Sequence, residues 1–305
     1  MKKTTILYSL FLAFCLSSTA QESYKWAVTK QKDFTKTLPI GNSVVSLKNQ
    51  FGKMDIKHWD KNEVKVDVRI VVSTQEEDYA NTLLDMIQVI EKVGTDTLSF
   101  KTQIGDEKKG WSTNQSNKMS IDYTVYLPNT TKLVAYNSFG PLEIGDHVGE
   151  LNIQSSHGSL IAGKLSNIKS IKVNFGKARI SKLGKAEASF SHSSIDIEEL
   201  TGDIIANVNF CNSIDLPVGT AVKNIDIKTS HTSIYLLLPK TISGDYDIET
   251  THATASGKGS FELKEDKPEN IRGRVTFNHK YTGKLGTGGD AKINIKSNFG
   301  SVRLL

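Results

Sequence analysis

The chain has 305 residues, with 38 Lys and Arg against 33 Asp and Glu, a formal net charge of +5 and 38% hydrophobic residues. The two signs are interspersed, which gives no support for nucleic-acid binding. The length is ample for one large core or two small ones, and no apolar run reaches the roughly 18 residues that a membrane-spanning helix needs.

The first 20 residues read as a secretory signal peptide. Lys2 and Lys3 open it, Ile6 to Cys15 is a short apolar run, and Ser18-Thr19-Ala20 places small residues before a cut at Gln21. Cys15 follows Phe14, where a lipoprotein signal carries a small residue. Removing Lys2 and Lys3 leaves 36 basic against 33 acidic groups, a balance of +3, and Cys211 as the only thiol. An exported chain with one Cys forms no internal disulfide. The expected location is the periplasm or the cell surface, with no transmembrane segment.

Residues 21–43 are a lead-in without an assigned element. Residues 44–128 form a unit of their own. In it, Val44 to Leu47, Met54 to Ile56 and Val64 to Val72 alternate apolar and polar residues, the period of half-buried strands. The stretch "STQEEDYANTLLDMIQVIEKVG" predicts a helix over about 75–93. Ser73 and Thr74 are cap candidates with Glu76 and Glu77 three residues on, a capping box. Tyr79, Leu83, Met86, Ile87 and Ile90 make its apolar stripe, and Gly94 stops it. Strands at Leu98 to Ile104 and Met119 to Leu127 flank a polar loop at 105–118.

From 129 to 305 the chain repeats a phrase. "NSFGPLEI" at Phe139 is followed by "SSHGSLIA" at His157, "VNFGKARI" at Phe175, "FSHSSIDI" at His192, "NFCNSIDL" at Cys211, "TSHTSIYL" at His231 and "TTHATASG" at His252. The intervals are 18, 18, 17, 19, 20 and 21 residues. "NQFGKMDI" at Phe51 anticipates the series and "SNFGSVRL" at Phe299 closes it. Such a period marks a repeat architecture. Each unit reads as strand, tight turn at the ring, strand and a second turn. Gly149, Gly184, Gly202, Gly219 and Gly244 are expected to supply positive φ at the second turns. Stacked units bury a continuous core between two sheets. The predicted fold is therefore all-β, a parallel β-solenoid (β-helix) of two-strand rungs with a period of about 17–21 residues, the helix-bearing unit capping its exposed edges. A β-sandwich of hairpins is the rival, because its strands alternate too.

Counting by twos from Ile171 through Val173 reaches Phe175, and from Ile227 through Thr229 reaches His231. The rings are thus predicted to point inward as a turn column of Phe51, Phe139, His157, Phe175, His192, His231, His252 and Phe299. The small polar residue two before each ring, such as Asn49, Asn137 or Thr250, is expected to bond the turn backbone.

The phrases "LKNQFGKMDIKHWDKNEVKV", "YTVYLPNTTKLVAYNSFGPLEI" and "YTGKLGTGGDAKINIKSNFGSVRL" resemble the bacterial family of putative-adhesin domains of the cell envelope, over most of residues 44–305. The resemblance implies a right-handed solenoid, export and an adhesive or scaffolding role, and supplies no catalytic residues. The chain departs from the commoner Gly-rich turns by placing His at four corners.

Imidazole is a common metal ligand, but Phe175 separates His157 from His192 by two rungs, about 9.6 Å. Only His231 and His252 are expected to be adjacent, and no carboxylate shares their parity; they are the residual metal candidates in a column read as structural, with no metal and no cofactor. Asp55, Glu143, Arg179, Asp196 and Asp215 form an outward charged column, read as a solvated face and not as a catalytic cleft. "GKLGTGG" lacks the Lys-Ser/Thr of a phosphate loop. The outward face of the first strands, from Asn152 and Gln154 to Lys228 and Ser230, is flat and polar, with Tyr136 and Tyr235 its main aromatics. The sequence thus reads as a non-catalytic exported envelope protein, an adhesin or surface scaffold with an envelope or cell-surface partner. The alternatives are a polysaccharide-active β-helix enzyme and a structural or stress-signalling component of the envelope.

Overall fold

Alternation sets the strands, and the strands leave one helix. The computed structural model describes residues 26–105, 116–266 and 277–305. The signal segment, Cys15, the Ala20–Gln21 cut and most of the 105–118 run lie outside these residues. The chain begins with β1 (Val28–Pro39), β2 (Val44–Gln50), β3 (Met54–His58) and β4 (Glu63–Thr74). Helix α1 (Glu77–Met86), β5 (Ile87–Val93), β6 (Thr97–Ile104) and β7 (Lys118–Leu127) follow. The repeats supply β8 (Leu133–Ser138), β9 (Leu142–Ile144), β10 (His147–Ser156), β11 (Ser159–Asn174), β12 (Lys177–Ser191), β13 (Ser194–Leu200), β14 (Ile204–Asn209) and β15 (Ser213–Pro217). The remainder are β16 (Asn224–Ser230), β17 (Ser233–Leu237), β18 (Gly244–Thr251), β19 (Ala255–Gly257), β20 (Asn278–Leu285), β21 (Ala291–Asn298) and β22 (Val302–Leu304). The fold is all-β.

Hydrogen bonding arranges these strands in two rows. One runs β6–β2–β8–β10–β11–β12–β14–β16–β21–β18–β20, parallel at every step but the last. The other runs β1–β4–β7–β3–β9–β11–β12–β13, and a Leu200–Val218 bridge carries it on to β15–β17–β22–β19. β11 and β12 run through both rows. Register keeps like residues in line: Ile153 pairs Ile171, Ile180 pairs Ile197, and Ile227 pairs Ile295. The inward side chains between the rows, among them Leu47, Ile153, Leu160, Ile180 and Ile227, are fully buried. One face of each strand is thereby taken from water while the other stays polar, which the period of two requires.

Four expectations need correction. The helix ends at Met86 and does not run to 93, because Ile87–Val93 turns at Gly94 and pairs antiparallel with β6. That segment is rich in β-branched residues, and an open edge of β6 lies beside it. There is also no capping box: Glu76 is the extended N-cap without a side-chain bond, and the Thr74 hydroxyl donates to the Glu76 carbonyl at 2.7 Å. Tyr79, Ala80 and Leu83 are the buried helix residues, and α1 packs against β4 and β1. The lead-in 21–43 contains a twelve-residue strand, β1, antiparallel to β4. Its run of Lys, Gln and Thr hid it, since only one of its edges is paired. Finally, β21 lies between β16 and β18, so the last repeat of the chain is not last in the stack.

Among the described residues, no helix is long and apolar enough to cross a membrane.

Candidate functional site

The ring residues do not continue the parity of their strands. Phe51, Phe139, His157, Phe175, His192, Phe210, His231, His252 and Phe299 all have φ between 50° and 63°, and they are the only described non-glycine residues with positive φ. A residue in the left-handed region breaks the strand's alternation, so its side chain leaves the corner on the outside. Phe139, Phe175, Phe210 and Phe299 are accordingly 49–54% exposed, and the predicted inward column is an outward one. Each left-handed residue costs roughly 1–2 kcal/mol. The corner holds because the backbone ladder runs on through it: Phe139 N–H donates to the Ser156 carbonyl at 2.9 Å, and His157 N–H to that of Asn174 at 3.0 Å.

The residue after the ring points inward in its place. At Gly140 a Cβ would lie 2.1 Å from the carbonyl oxygen of Gly52, so close backbone approach, and not φ, demands glycine. The same reason replaces the expected one at the second turns. Gly149, Gly184, Gly202, Gly219 and Gly244 lack positive φ, and a Cβ on Gly149 would meet the Thr131 carbonyl at 2.3 Å.

The rings stack in one column. Its order is Phe51, Phe139, His157, Phe175, His192, Phe210, His231, Phe299, His252 and Phe277, with centroid steps of 4.6–5.1 Å and interplanar angles of 8–23°. The repeat phrase had placed Cys211 at this position. Phe210 holds it, and Cys211 takes the inward glycine position, 2% exposed, with burial pushing its thiol up. His231 and His252 are not adjacent, because Phe299 lies between them at 4.8 and 4.7 Å. From Phe139 onward Phe and His therefore alternate without a break. The residue before the ring follows suit in part: Ser or Thr precedes each His of the column and Asn precedes Phe175, Phe210 and Phe299, but Ser138 precedes Phe139 and Thr276 precedes Phe277. The Ser191 hydroxyl and Nδ1 of His192 share a hydrogen bond of 2.9 Å, as do Ser230 and His231. Among the described residues no group of three His, Cys, Asp or Glu is placed to hold a metal.

Inside the corner runs a polar column. Asn49 Nδ2 donates to the Ile121 carbonyl at 2.7 Å, Asn137 to that of Gly52 at 2.9 Å, and the Thr250 hydroxyl to that of Ala253 at 2.7 Å. Outside the second row, Lys53 Nζ lies 2.8 Å from Glu143 and 3.4 Å from Asp55, and Arg179 Nε 3.2 Å from Asp196. The Glu143 bond is the main cause that raises Lys53 above the usual lysine range. Ile161 and Tyr235 interrupt this charged column, beside Arg179 and Asp215 respectively. On the first row, register lines up Gln154, Lys172, Ser189, Asn207 and Lys228. Lys48 sits over the Tyr136 ring and Arg303 over that of Tyr235.

Sequence reasoning passed over one pair. His58 Nε2 lies 3.2 Å from Nδ1 of His147, whose Nε2 lies 3.0 Å from the Thr131 carbonyl. The carbonyl must accept, so His147 carries its proton on Nε2 and accepts from His58 at Nδ1. Burial, then the nearby His58, pushes the fully enclosed His147 down to about 4. The two stand 89 residues apart and outside the repeat phrase, so no local pattern marks them.

No protein-family model and no curated protein matches the chain. Among solved structures it is similar to a putative adhesin from Bacteroides fragilis, with 13% identity, 90% of this chain and 97% of that one covered, and a TM-score of 0.37. A putative cell adhesion protein from Clostridium sporogenes gives 14%, 90%, 99% and 0.22. A putative lipid binding protein from Parabacteroides distasonis gives 12%, 90%, 96% and 0.32. Likeness at this distance transfers neither role nor ligand.

Proposed function

We propose that the chain is an exported, non-catalytic envelope protein of adhesin or surface-scaffold type, built as a right-handed parallel β-solenoid of two-strand rungs. Support for the solenoid comes from the parallel partners that successive repeats find in both rows, and for its hand from the resemblance of the turn phrases. The contact role rests on one observation. The ring column presents ten stacked rings, all but the half-buried Phe51 exposed, along about 44 Å, the sum of its nine steps. Many equivalent weak contacts on a rigid strip add up to firm attachment. Charged groups of the second row pair across neighbouring strands, as Lys53 does with Glu143 and Arg179 with Asp196, and do not converge on a cleft as acid–base chemistry requires.

The test uses protein beginning at Gln21, coated on beads and presented to intact cells and to envelope fractions. Wild type should be retained, and a variant with Phe139, Phe175, Phe210 and Phe299 all changed to Ser should be lost while keeping its β-sheet circular dichroism. Equal retention of the two proteins overturns the contact role. New chain ends released from envelope polysaccharides by the wild type overturn the non-catalytic one.

A further inference from the structure

The rings stack face to face, and stacking leaves only their edges for a partner. A sugar packs its C–H face on the face of a ring. Among the described residues, only the outer faces of Phe51 and Phe277, at the two ends of this column, are left uncovered by another ring. The strip therefore suits a partner that packs along ring edges.

Two further features narrow that partner. The strip is almost free of charge in a chain that is 23% charged. The residue before each of the nine left-handed rings is Gln, Ser, Asn or Thr, and on the other side only Lys53 and Lys177 carry charge. Aromatic enrichment with charge depletion is the signature of a protein–protein interface core. The second feature is the spacing. A partner meets every ring in an equivalent way only if it repeats at 4.6–5.1 Å itself. Stacked β-strands repeat at about 4.8 Å, and this chain carries such a strip.

Resting on the contact role proposed above, we infer that the occupant of the ring strip is a second copy of this chain, docked column to column about a two-fold axis. Centring the axis between His192 and Phe210 and running the columns antiparallel sets Phe210 opposite His192 of the second copy, and Phe175 opposite His231. Every other ring then faces the opposite type, except Phe51 and Phe277, which meet each other. The contact is isologous and closes on itself, so it stops at two. Four residues across the corner at about 3.3 Å each make a strip of roughly 13 Å. Over the 44 Å of the column this is ~570 Å² per copy, below the ~800 Å² of a standard interface. The dimer should be weak and reversible.

Sedimentation velocity of the full mature chain, from micromolar to near-millimolar concentration, tests this. Wild type should pass from monomer to dimer. Phe210→Asp and Phe210→Lys should each remain monomeric, because like charges meet beside the axis, and an equimolar mixture of the two should dimerise again. That recovery separates a lost contact from a damaged fold. A wild type that stays monomeric throughout, or single variants that dimerise as before, overturns the inference. If wild type stays monomeric while the four-Ser variant still loses cell attachment, the contact role stands and only the second copy is refuted.

Discussion

Acid should weaken this fold through one buried imidazole. His147 is fully enclosed, donates to the Thr131 carbonyl and accepts from His58, so a second proton, on its Nδ1, would be charged in a buried place and meet the proton that His58 presents there. Its pKa falls from the ordinary 6.5 to about 4. Between those values the unfolded chain binds the proton and the folded chain does not, so stability falls as pH falls through that window. The 2.5-unit difference is worth about 3 kcal/mol at most, nearly all of it lost by pH 4 and about 2 kcal/mol by pH 5. Burial lowers His58 as well, which adds in the same direction. Urea melts at pH 7.5 and 5 measure the loss, but carboxylates begin to titrate in the same range. His147→Leu supplies the control. It should be less stable than wild type at pH 7.5, because Thr131 loses its donor, and its pH dependence should be flatter by about 2 kcal/mol. A variant that loses as much stability on acidification as wild type does would refute the assignment.

Other outcomes follow from the corner. Phe175→Ala removes an exposed ring held by two stacks of 5.1 and 4.8 Å, so denaturant melts should show a loss of about 1–2 kcal/mol, not the 3–5 of a buried aromatic; a loss above 3 would mean the ring is core. Gly158→Ala puts a Cβ 2.0 Å from the Gly140 carbonyl oxygen, and the same melts should show a loss of more than about 3 kcal/mol or no folded protein. Excising residues 157–174 joins Ser156 to Phe175 and removes one sequence repeat whole, so on the proposed solenoid circular dichroism should retain a cooperative β transition; collapse to an unfolded chain would count against the solenoid.

The strands were legible because a period of two is written directly in pairs such as Ile171-Val173 and Ile195-Ile197. The direction of the rings was not. Parity predicts where a side chain points only while the backbone stays extended, and nothing in "NFG" or "SHS" states that the ring itself takes the left-handed turn. The extra Asn212 made the phrase align on Cys211, one residue past the ring. The place of β21 was hidden for another reason: a repeat specifies the face and spacing of a strand, but not which of two equivalent edges it will join. The Phe/His alternation came out whole only when Phe210, Phe277 and the inserted Phe299 took their places.

The insertion of β21 also dictates an order of events. β16 and β18 are successive strands of the first row along the chain, with β17 of the other row between them, yet neither bonds the other; each bonds β21, which is made some forty residues after β18. From β8 on, a growing or emerging chain can therefore lay each strand beside one already made only as far as β17, which pairs with β15. β18 and β20 must then wait as a two-stranded unit, marginal by itself, until Ala291–Leu304 arrives to join both sides. The keystone of the stack is its final segment, so trimming those residues would open a gap in the middle of the assembly and not shorten its end.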